Sequence, residues 1–337
     1  MTVTVRSFAK INLGLRIGAR RGDGFHELLT VYQTIGLHDV IRVSLGRGSG
    51  IEIRCSDPRV PNDESNTCYR VVEKAMQEMN AGGQVTVDIE KRLPVQGGLG
   101  GASANAVAAL LGLERVLKKT LTAAARLRIA AEVGSDLPLF LVGGTVLGVG
   151  RGEQVYPLED LPATACVVVT PEVGVSTPKA FADWDRVRAG ASGAPAIASG
   201  LRPTQTGAAK LTVAGASDRI IELGRELSVW LSESYSGAPF RRGRRGNPLL
   251  ELVRAGIKND FEQVVFPEYP ELSEGKDALE RVGARYASLS GSGSALYGLF
   301  ASKEAARTAA ARLRKQGWNA QSTVTLTRRE YWKRILG

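Results

Sequence analysis

Hydrophobic and polar residues alternate along parts of the chain with the two-residue period of a half-buried β-strand. In residues 85–90, Val85, Val87 and Ile89 alternate with polar side chains, which predicts a strand. Further strands are predicted in the first half at 2–5, 9–17, 28–37, 40–45 and 143–149. Residues 102–117 are rich in Ala and Leu and contain no proline, so they predict a helix.

Two more helices in the first half begin at residues suited to capping. Asn66 is expected to cap a helix that ends near Gly82, and Thr122 to cap one that ends at Gly134. Strands and helices also alternate in the second half. The patterns there predict a strand at 165–170, a helix capped by Thr177, a helix at 302–316 and a strand at 323–327.

A glycine-rich stretch at 94–105 connects the strand at 85–90 to the helix at 102–117. Its glycines at 97, 98, 100 and 101 would let backbone N–H groups point inward without a Cβ in the way. Free amides and the positive end of the helix dipole favour an anion, and phosphate is the natural ligand. The stretch matches neither G-x-x-x-x-G-K-[ST] nor G-x-G-x-x-G, and a structural turn without a ligand is the alternative.

Length and composition are those of a soluble globular protein. With 337 residues the chain is long enough for two domains, and its 43% hydrophobic and 23% charged residues are ordinary. No apolar run approaches the roughly 18 residues of a membrane helix, and the first residues lack a signal peptide's apolar core. The three cysteines lie far apart and only two histidines are present, which disfavours structural zinc and fits a reducing cytoplasm.

The formal net charge of +10 suits either nucleic acid or an anionic small substrate. Four arginines fall within residues 241–245, but no aromatic-plus-basic RNA-binding motif accompanies them. We interpret this run as solvated loop charge and expect neither a nucleic-acid nor a membrane partner. From residue 188 the chain is rich in Ala, Gly and Ser, which predicts a flexible insertion at about 188–246.

Four residues outside the glycine-rich stretch are candidates for chemistry, and each has a structural alternative. Lys10 starts a predicted strand, where a surface lysine is the alternative. Asp136 lies in a break between elements, or it caps the short helix that follows. Phe25 and His26 form either an aromatic shelf with a hydrogen-bonding neighbour, or one core aromatic and one surface histidine.

The motifs of the chain, taken in order, resemble those of one enzyme superfamily. They are Ala-Lys-Ile-Asn-Leu at 9–13, Arg-Gly-Asp-Gly-Phe-His at 21–26, the stretch 91–105, Gly-Ser-Asp-Leu-Pro at 134–138, Ser-Thr-Pro at 176–178, Asn-Asp at 259–260 and Leu-Ser-Gly-Ser-Gly-Ser at 289–294. This order resembles the small-molecule kinases that include galactokinase, homoserine kinase, mevalonate kinase and phosphomevalonate kinase. The motifs at 21–26 and 91–94 resemble the branch that phosphorylates a cytidine diphosphate alcohol.

The resemblance implies ATP-dependent phosphorylation of the 2-hydroxyl of a cytidine diphosphate derivative of methylerythritol, in the non-mevalonate route to isoprenoid precursors. It implies an α+β fold of two domains, the first like domain 2 of ribosomal protein S5 and the second ferredoxin-like, with the active site in the cleft between them. We expect these domains at 1–160 and 161–337. The implied cofactors are ATP and Mg²⁺, and the expected state is a monomer or weak dimer.

The resemblance also implies roles for individual residues. Asp136 matches the catalytic aspartate, Lys10 its lysine partner, and Ser103 a hydroxyl on the metal side. The implied ATP contacts are Asn66, Lys91, Pro94, Val95, Gln96, Gly97, Gly98, Leu99, Gly100, Gly101, Ala102, Ser103 and Ala104. The implied substrate contacts are Asn12, Phe25, His26, Thr177 and Phe181, with the two phenylalanines around cytosine and the histidine reading the base.

Three features depart from the family pattern. Phe25 stands where relatives commonly have tyrosine, Ala102 where glycine is usual, and the stretch 188–246 is longer than expected. Two other functions remain open from the sequence. One is another kinase of the superfamily, acting on mevalonate or homoserine. The other is a basic RNA-binding protein, because both implied folds also occur in RNA binders.

Overall fold

The computed structural model describes residues 1–192 and 258–336, which form two α+β units. The first unit is built on a six-stranded sheet of order β3-β4-β2-β5-β6, with β1 paired to β2. Its strands are β1 (Thr2–Arg20), β2 (His26–Gly46), β3 (Gly50–Cys55), β4 (Gln84–Glu90), β5 (Thr145–Gly150) and β6 (Gln154–Pro157). β3 and β4 pair parallel, and the other neighbouring strands pair antiparallel.

Four helices pack with this sheet to enclose the first core. They are α1 (Thr67–Glu78), α2 (Gly101–Leu117), α3 (Ala123–Val133) and α4 (Leu137–Val142). α2 lies against β1 and β2, and Gly112 faces the sheet at close range. A Cβ at Gly112 would lie 2.6 Å from a methyl carbon of Val43, so any larger residue would push the helix outward. α2 is thereby held tightly on the sheet below the glycine-rich stretch.

The second unit is a four-stranded antiparallel sheet of order β10-β7-β9-β8. Its strands are β7 (Ala165–Val169), β8 (Tyr286–Leu289), β9 (Leu296–Phe300) and β10 (Ala320–Val324). Its helices are α5 (Thr177–Ser192), α6 (Glu262–Glu268), α7 (Pro270–Arg281) and α8 (Lys303–Lys315). With helices between β7 and β8 and α8 between β9 and β10, this order follows the ferredoxin-like pattern with extra helices in the first connection. The predicted α+β class is confirmed.

The two sheets are joined along β1, in which every residue from 7 to 18 is buried. Ile11 and Leu13 pack in one core cluster with Val168 and Tyr297 of the second sheet. Farther along β1, Leu15 and its neighbours pack into the core of the second unit. β1 is therefore covered on both faces, and residues near its middle lie between the two units.

The strands at 2–5 and 9–17 were predicted as separate elements, and so were those at 28–37 and 40–45. In the structure each pair forms one continuous strand, β1 and β2. β1 bends through register shifts between Phe8 and Lys10 and between Asn12 and Gly14 instead of breaking. The gap between the predicted strands at 28–37 and 40–45 contains Asp39, which is fully buried and hydrogen-bonded to a neighbouring segment.

The predicted caps at Asn66 and Thr122 are confirmed, since each side chain accepts a hydrogen bond from a backbone N–H of the helix it precedes. The cap predicted at Thr177 is wrong by one residue. α5 begins at Thr177, and the hydroxyl of Ser176 accepts from the Lys179 N–H. The predicted strand at 323–327 is likewise shifted, because β10 ends at Val324 and Thr327 caps a further helix.

That further helix, α9 (Arg328–Ile335), was not predicted, and it packs into the core of the first unit. The hydroxyl of Tyr331 donates to the Phe140 carbonyl at 2.7 Å, and its ring lies 5.7 Å from that of Phe8. Most of the predicted insertion, together with the arginine run, lies outside the described residues, although α5 continues to Ser192. Within the described ranges no helix has the length and apolarity needed to cross a membrane.

Candidate active site

The glycine-rich stretch ends in a left-handed turn that leads into α2. Gly98 and Gly100 have φ angles of +70° and +69°, and Gly100 occupies the cap position of the helix. The first backbone hydrogen bond of the helix runs from the Ala104 N–H to the Gly100 carbonyl at 2.8 Å. The N–H groups that precede Ala104 therefore have no partner within the helix and carry its positive dipole end. This arrangement can bind a phosphate.

A cavity of about 300 Å³ lies in front of this helix end. It is lined by Arg59, Val60, Pro61, Ser65, Asn66, Thr67, Cys68, Ile89, Lys91, Pro94, Val95, Gln96, Gly97, Gly98, Leu99, Gly100, Gly101, Ala102, Ser103 and Asn105. All the residues expected to contact ATP are in this lining except Ala104, which is buried in the first core. The cavity has the size of a small-molecule pocket, and its apolar walls suit a nucleotide base.

Asn66 and Lys91 both line the cavity, but their polar groups already have protein partners. The Asn66 amide accepts from the Cys68 N–H at 2.8 Å and donates to the Pro61 carbonyl at 2.6 Å. The Lys91 ammonium donates to the buried Asp39 carboxylate at 2.6 Å. Asp39, which sequence reasoning missed, also accepts from two backbone N–H groups at 92 and 93. It thereby fixes the segment that enters the glycine-rich stretch.

Lys10 is buried and joins the glycine-rich stretch to the middle of β1, so the surface-lysine alternative is excluded. Its ammonium donates to the Gly98 carbonyl at 2.9 Å and to Asn12 Oδ1 at 2.6 Å, and it lies 3.6 Å from Asp136 Oδ2. Burial lowers the pKa of Lys10, while the neighbouring Asp136 carboxylate opposes that shift. Three oxygen atoms thus surround one cation beside the phosphate-binding turn.

Asp136 precedes α4, but its side chain makes no capping hydrogen bond to that helix. The carboxylate instead accepts from the Tyr32 hydroxyl at 3.1 Å and faces Lys10. A third of the side chain is exposed, so the carboxylate is open to a ligand. Burial, with the charge of Asp136 as a smaller contribution, raises the pKa of Tyr32 well above its usual value. Tyr32 therefore stays protonated and donates.

We expect Tyr32→Phe to lower the turnover number about three- to tenfold, because a hydrogen bond that orients the carboxylate is lost while water can partly replace it. The Michaelis constant for ATP should change little, since Tyr32 does not line the cavity in front of α2. Steady-state kinetics check this, with Tyr156→Phe on the exposed edge of β6 as the control. A turnover number equal to that of the wild type would show that Tyr32 does not contribute to catalysis.

The second glycine-rich turn, at 289–294, packs directly against the first. The Gly98 carbonyl also accepts from the Ser290 hydroxyl at 2.9 Å, and the Ala295 N–H donates to the Gly97 carbonyl at 3.0 Å. Asn259 holds this second turn by donating to the carbonyls of Leu289 and Gly291 at 2.9 and 2.7 Å. The Asn259–Asp260 motif therefore supports the site, because Asp260 in turn binds β1 through Arg16 and the Ile17 N–H.

Gly98→Ala should disrupt this contact, because its Cβ would collide with the carbonyl oxygen of Ser290 and lie 2.9 Å from that of Gly293. Strain at a positive φ costs about 1–3 kcal/mol, and we expect a lower melting temperature together with weaker ATP binding. Gly22→Ala is the matched control, since its Cβ would meet open space at an ordinary φ. Calorimetric ATP titration and thermal unfolding measure both effects, and wild-type ATP affinity in Gly98→Ala would contradict the prediction.

The motif suggests that Gly100 keeps a Cβ away from inward-pointing N–H groups. The structure gives a different reason for a glycine at this position. A Cβ there would meet the Phe140 ring at 2.9 Å and the Lys10 side chain at 3.1 Å. It would point at packed side chains, so Gly100 is needed for the left-handed turn and for the position of Lys10. Substitution here would move the lysine as well as the loop.

On the other side of Lys10 lie the residues expected to contact the second substrate. Asn12 accepts from Lys10 and donates to Thr30 Oγ1 at 2.8 Å, which fixes its amide. The Thr177 hydroxyl lies 2.7 Å from that of Ser292, so it belongs to the second glycine-rich turn. Asn12 is thus fixed beside Lys10 near the middle of β1, and Thr177 is fixed beside the second glycine-rich turn.

Of the three predicted aromatic residues, His26 and Phe181 stack on each other, and Phe25 has a separate contact. The His26 and Phe181 rings lie 4.9 Å apart and are parallel to within 6°. His26 is buried, and its Nε2 lies 2.7 Å from a carboxylate oxygen of Asp185. Phe25 is 52% exposed and lies under the Arg151 guanidinium at 4.9 Å, so it is not a core aromatic. The turn at 21–26 therefore does not consist of one core aromatic and one surface histidine, which was the alternative to the shelf.

Comparison with known proteins agrees with this geometry. The GHMP kinases N terminal domain matches residues 66–144 and the GHMP kinases C terminal domain matches residues 243–319. A curated relative from Solibacter usitatus, 4-diphosphocytidyl-2-C-methyl-D-erythritol kinase, is 35% identical over 98% of this chain and 92% of its own length. A relative of the same name from Heliobacterium modesticaldum is 35% identical over 93% of this chain and 90% of its own length.

Solved structures give the same result. The crystal structure of a 4-(cytidine 5'-diphospho)-2C-methyl-D-erythritol kinase superposes with a TM-score of 0.68 at 28% identity, covering 96% of this chain and 98% of that one. Homoserine kinase from Cytophaga hutchinsonii shares the fold, with a TM-score of 0.66 at 20% identity over 97% and 95% of the chains. The predicted ATP-dependent small-molecule kinase is thus confirmed, and the chain belongs to the 4-diphosphocytidyl-2-C-methyl-D-erythritol kinase family.

Proposed function

We propose that this chain transfers the γ-phosphoryl group of ATP to the 2-hydroxyl of 4-diphosphocytidyl-2-C-methyl-D-erythritol. The observation that carries the proposal is the pair of Lys10 and Asp136, 3.6 Å apart, with the lysine also bound to the Gly98 carbonyl. A carboxylate, a cation and a phosphate-binding turn meet at one point. This is the set of groups that phosphoryl transfer to an alcohol requires.

In this proposal Asp136 takes the proton of the hydroxyl as the oxygen attacks the γ-phosphorus, because an alcohol is a poor nucleophile near neutral pH. Tyr32 orients the carboxylate from its other oxygen. Lys10 stabilises the negative charge that develops on the transferred oxygens, and the free N–H groups of α2 hold the phosphates. The nucleotide occupies the cavity lined by residues 94–103, with its adenine toward Asn66 and Lys91.

Mg²⁺ is part of the proposal, since it neutralises phosphate charge when bound. Among residues 1–192 and 258–336 no cluster of three His, Cys, Asp or Glu side chains could hold a metal ion. Mg²⁺ commonly binds through substrate phosphates with few protein ligands, so this lack of a cage is compatible with it. The Ser103 hydroxyl lies in the cavity and is our candidate ligand.

The cytidine end of the substrate is assigned to the aromatic stack. In this assignment Phe25 and Phe181 flank the cytosine, His26 reads its edge, and Asn12 and Thr177 contact the remainder of the molecule. The hydrogen bond of 2.6 Å from Lys10 to Asn12 supports a position of the methylerythritol portion near the catalytic pair. We further propose that the enzyme acts in the cytoplasm as a monomer or weak dimer without nucleic acid.

The experiment is a phosphoryl-transfer assay with ATP, Mg²⁺ and a panel of alcohols. The panel contains 4-diphosphocytidyl-2-C-methyl-D-erythritol, mevalonate and homoserine, and formation of ADP and of the phosphorylated product is measured for each. We expect turnover with the cytidine diphosphate alcohol and at least a hundredfold lower activity with the others, because a site built for base hydrogen bonds rejects ligands that lack them. Comparable activity with mevalonate or homoserine would reassign the acceptor.

A further inference from the structure

Asp185 is not part of any motif, yet it contacts the residue assigned to read the base. It lies on α5, 159 residues from His26 in sequence, and its carboxylate oxygen is 2.7 Å from His26 Nε2. A carboxylate oxygen accepts hydrogen bonds, so the proton between the two groups belongs to Nε2. We propose that Asp185 fixes the tautomer of His26 and thereby makes the pocket select cytosine over uracil; this inference rests on the function proposed above.

The ring of His26 is held in one orientation by two independent contacts. Phe181 stacks on its face with an interplanar angle of 6°, and Phe181 is itself held edge-on by Phe261 at 4.9 Å. Asp185 fixes the rotation of the ring in its own plane through Nε2. A neutral imidazole with its proton on Nε2 has an acceptor lone pair on Nδ1. The stack and the carboxylate together decide where that lone pair points.

Nδ1 of His26 is open to a ligand. No hydrogen bond reaches it from the described part of the chain, and it is not among the fully buried polar atoms that lack a partner. An acceptor at this position is complementary to the amino group of cytosine. Uracil carries a carbonyl acceptor at the corresponding atom, so the same Nδ1 would face another acceptor. The pocket should therefore discriminate between two pyrimidines of nearly equal shape.

The chain contains only two histidines, which makes the tautomer directly measurable. Nδ1 of His38 lies 3.0 Å from the Gly36 carbonyl, which can only accept, so His38 carries its proton on Nδ1 and serves as an internal contrast. We expect nitrogen NMR of the histidine-labelled protein to show one ring of each tautomer at neutral pH. The Nε2–H proton of His26 should be visible and should be lost by exchange with water in Asp185→Ala. A His26 ring protonated on Nδ1, or on both nitrogens, would overturn the proposal.

The consequence for recognition is tested by calorimetric binding of cytidine 5'-diphosphate and uridine 5'-diphosphate. Wild-type protein should bind the cytidine nucleotide at least about tenfold more tightly, which is the effect of one base hydrogen bond. Asp185→Ala should reduce this ratio to about threefold or less. Asp185→Asn should retain most of it, because the amide oxygen can still accept from Nε2–H. Equal binding of both nucleotides by the wild type, or an unchanged ratio in Asp185→Ala, would overturn the proposal.

Asp183→Ala provides the matched control on the same helix. Asp183 pairs with Lys179 and Arg186 and makes no contact with His26. The ratio of the affinities for cytidine and uridine 5'-diphosphate should therefore stay at the wild-type value. The assay of the preceding section separates the two proposals. Equal use of cytidine and uridine substrates by an active kinase would support the proposed function and overturn this inference. Selective binding of the cytidine nucleotide without phosphorylation of the alcohol would support this inference and overturn the proposed function.

Discussion

Asp136→Asn should lower the turnover number by about a hundred- to ten-thousandfold, the contribution of a general base that asparagine cannot replace. The amide is nearly isosteric and can still accept from Tyr32, so the local structure should persist. ATP binding should also persist, because Asp136 does not line the cavity in front of α2. Steady-state kinetics with calorimetric ATP titration on folded protein measure both quantities.

The control for this variant is Asp277→Asn on the exposed side of α7, which should have wild-type activity. The helix-cap interpretation makes the opposite prediction, since asparagine caps a helix about as well as aspartate. That interpretation is already weakened by the structure, in which the Asp136 side chain makes no cap. Turnover within threefold of the wild type in Asp136→Asn would contradict the general-base role.

Lys10→Met should lower turnover by about a hundred- to a thousandfold, which is the usual effect of removing one donor that stabilises charge in a transition state. ATP binding should weaken as well, because the Gly98 carbonyl loses one of its two side-chain donors. The free energy of unfolding should fall by about 1–3 kcal/mol, because the buried Asn12 Oδ1 loses its donor, whereas the partly exposed Asp136 can be solvated.

Lys74→Met on α1 is the control for a surface lysine, because Lys74 pairs only with the exposed Glu132 among the described residues. The double variant Lys10→Met with Asp136→Asn should lose less activity than the product of the single losses, since the two groups act as a unit. Kinetics and thermal unfolding of all three variants provide the measurement. Fully multiplicative losses would mean that the 3.6 Å contact carries no functional coupling.

Local signals predicted the parts of the fold that depend on neighbouring residues. The caps at Asn66 and Thr122 follow from a side chain that reaches two or three residues ahead, and the glycine-rich turn follows from backbone freedom. Neighbouring residues did not predict that the strands at 2–5 and 9–17 form one strand, β1. The second unit covers one face of β1 and buries it. Because of this tertiary burial, the polar residues Ser7 and Lys10 continue a strand that looks interrupted in sequence.

The site residues that sequence reasoning missed act over long separations. Tyr32 meets Asp136 across 104 positions and looks like one more apolar position in a strand. Asp39 meets Lys91 across 52 positions and lies in the gap between the predicted strands at 28–37 and 40–45. Asp185 lies just before the predicted insertion and carries no motif. Their partners could not be identified from spacing, because tertiary folding within the first unit brings together the pairs of Tyr32 and Asp39, and the packing of the two units brings Asp185 to His26.

The packing of α9 has a consequence for how the enzyme is made. Tyr331 binds the carbonyl of Phe140 in α4, the short helix that directly follows Asp136. During translation, α4 and the strands around it emerge long before α9 does. The core of the first unit therefore lacks the side chains of α9 until α9 has left the ribosome and packed against α4. A nascent chain stalled before residue 328 should be more accessible to chaperones and proteases at α4 than the released protein, and it should acquire activity only on release.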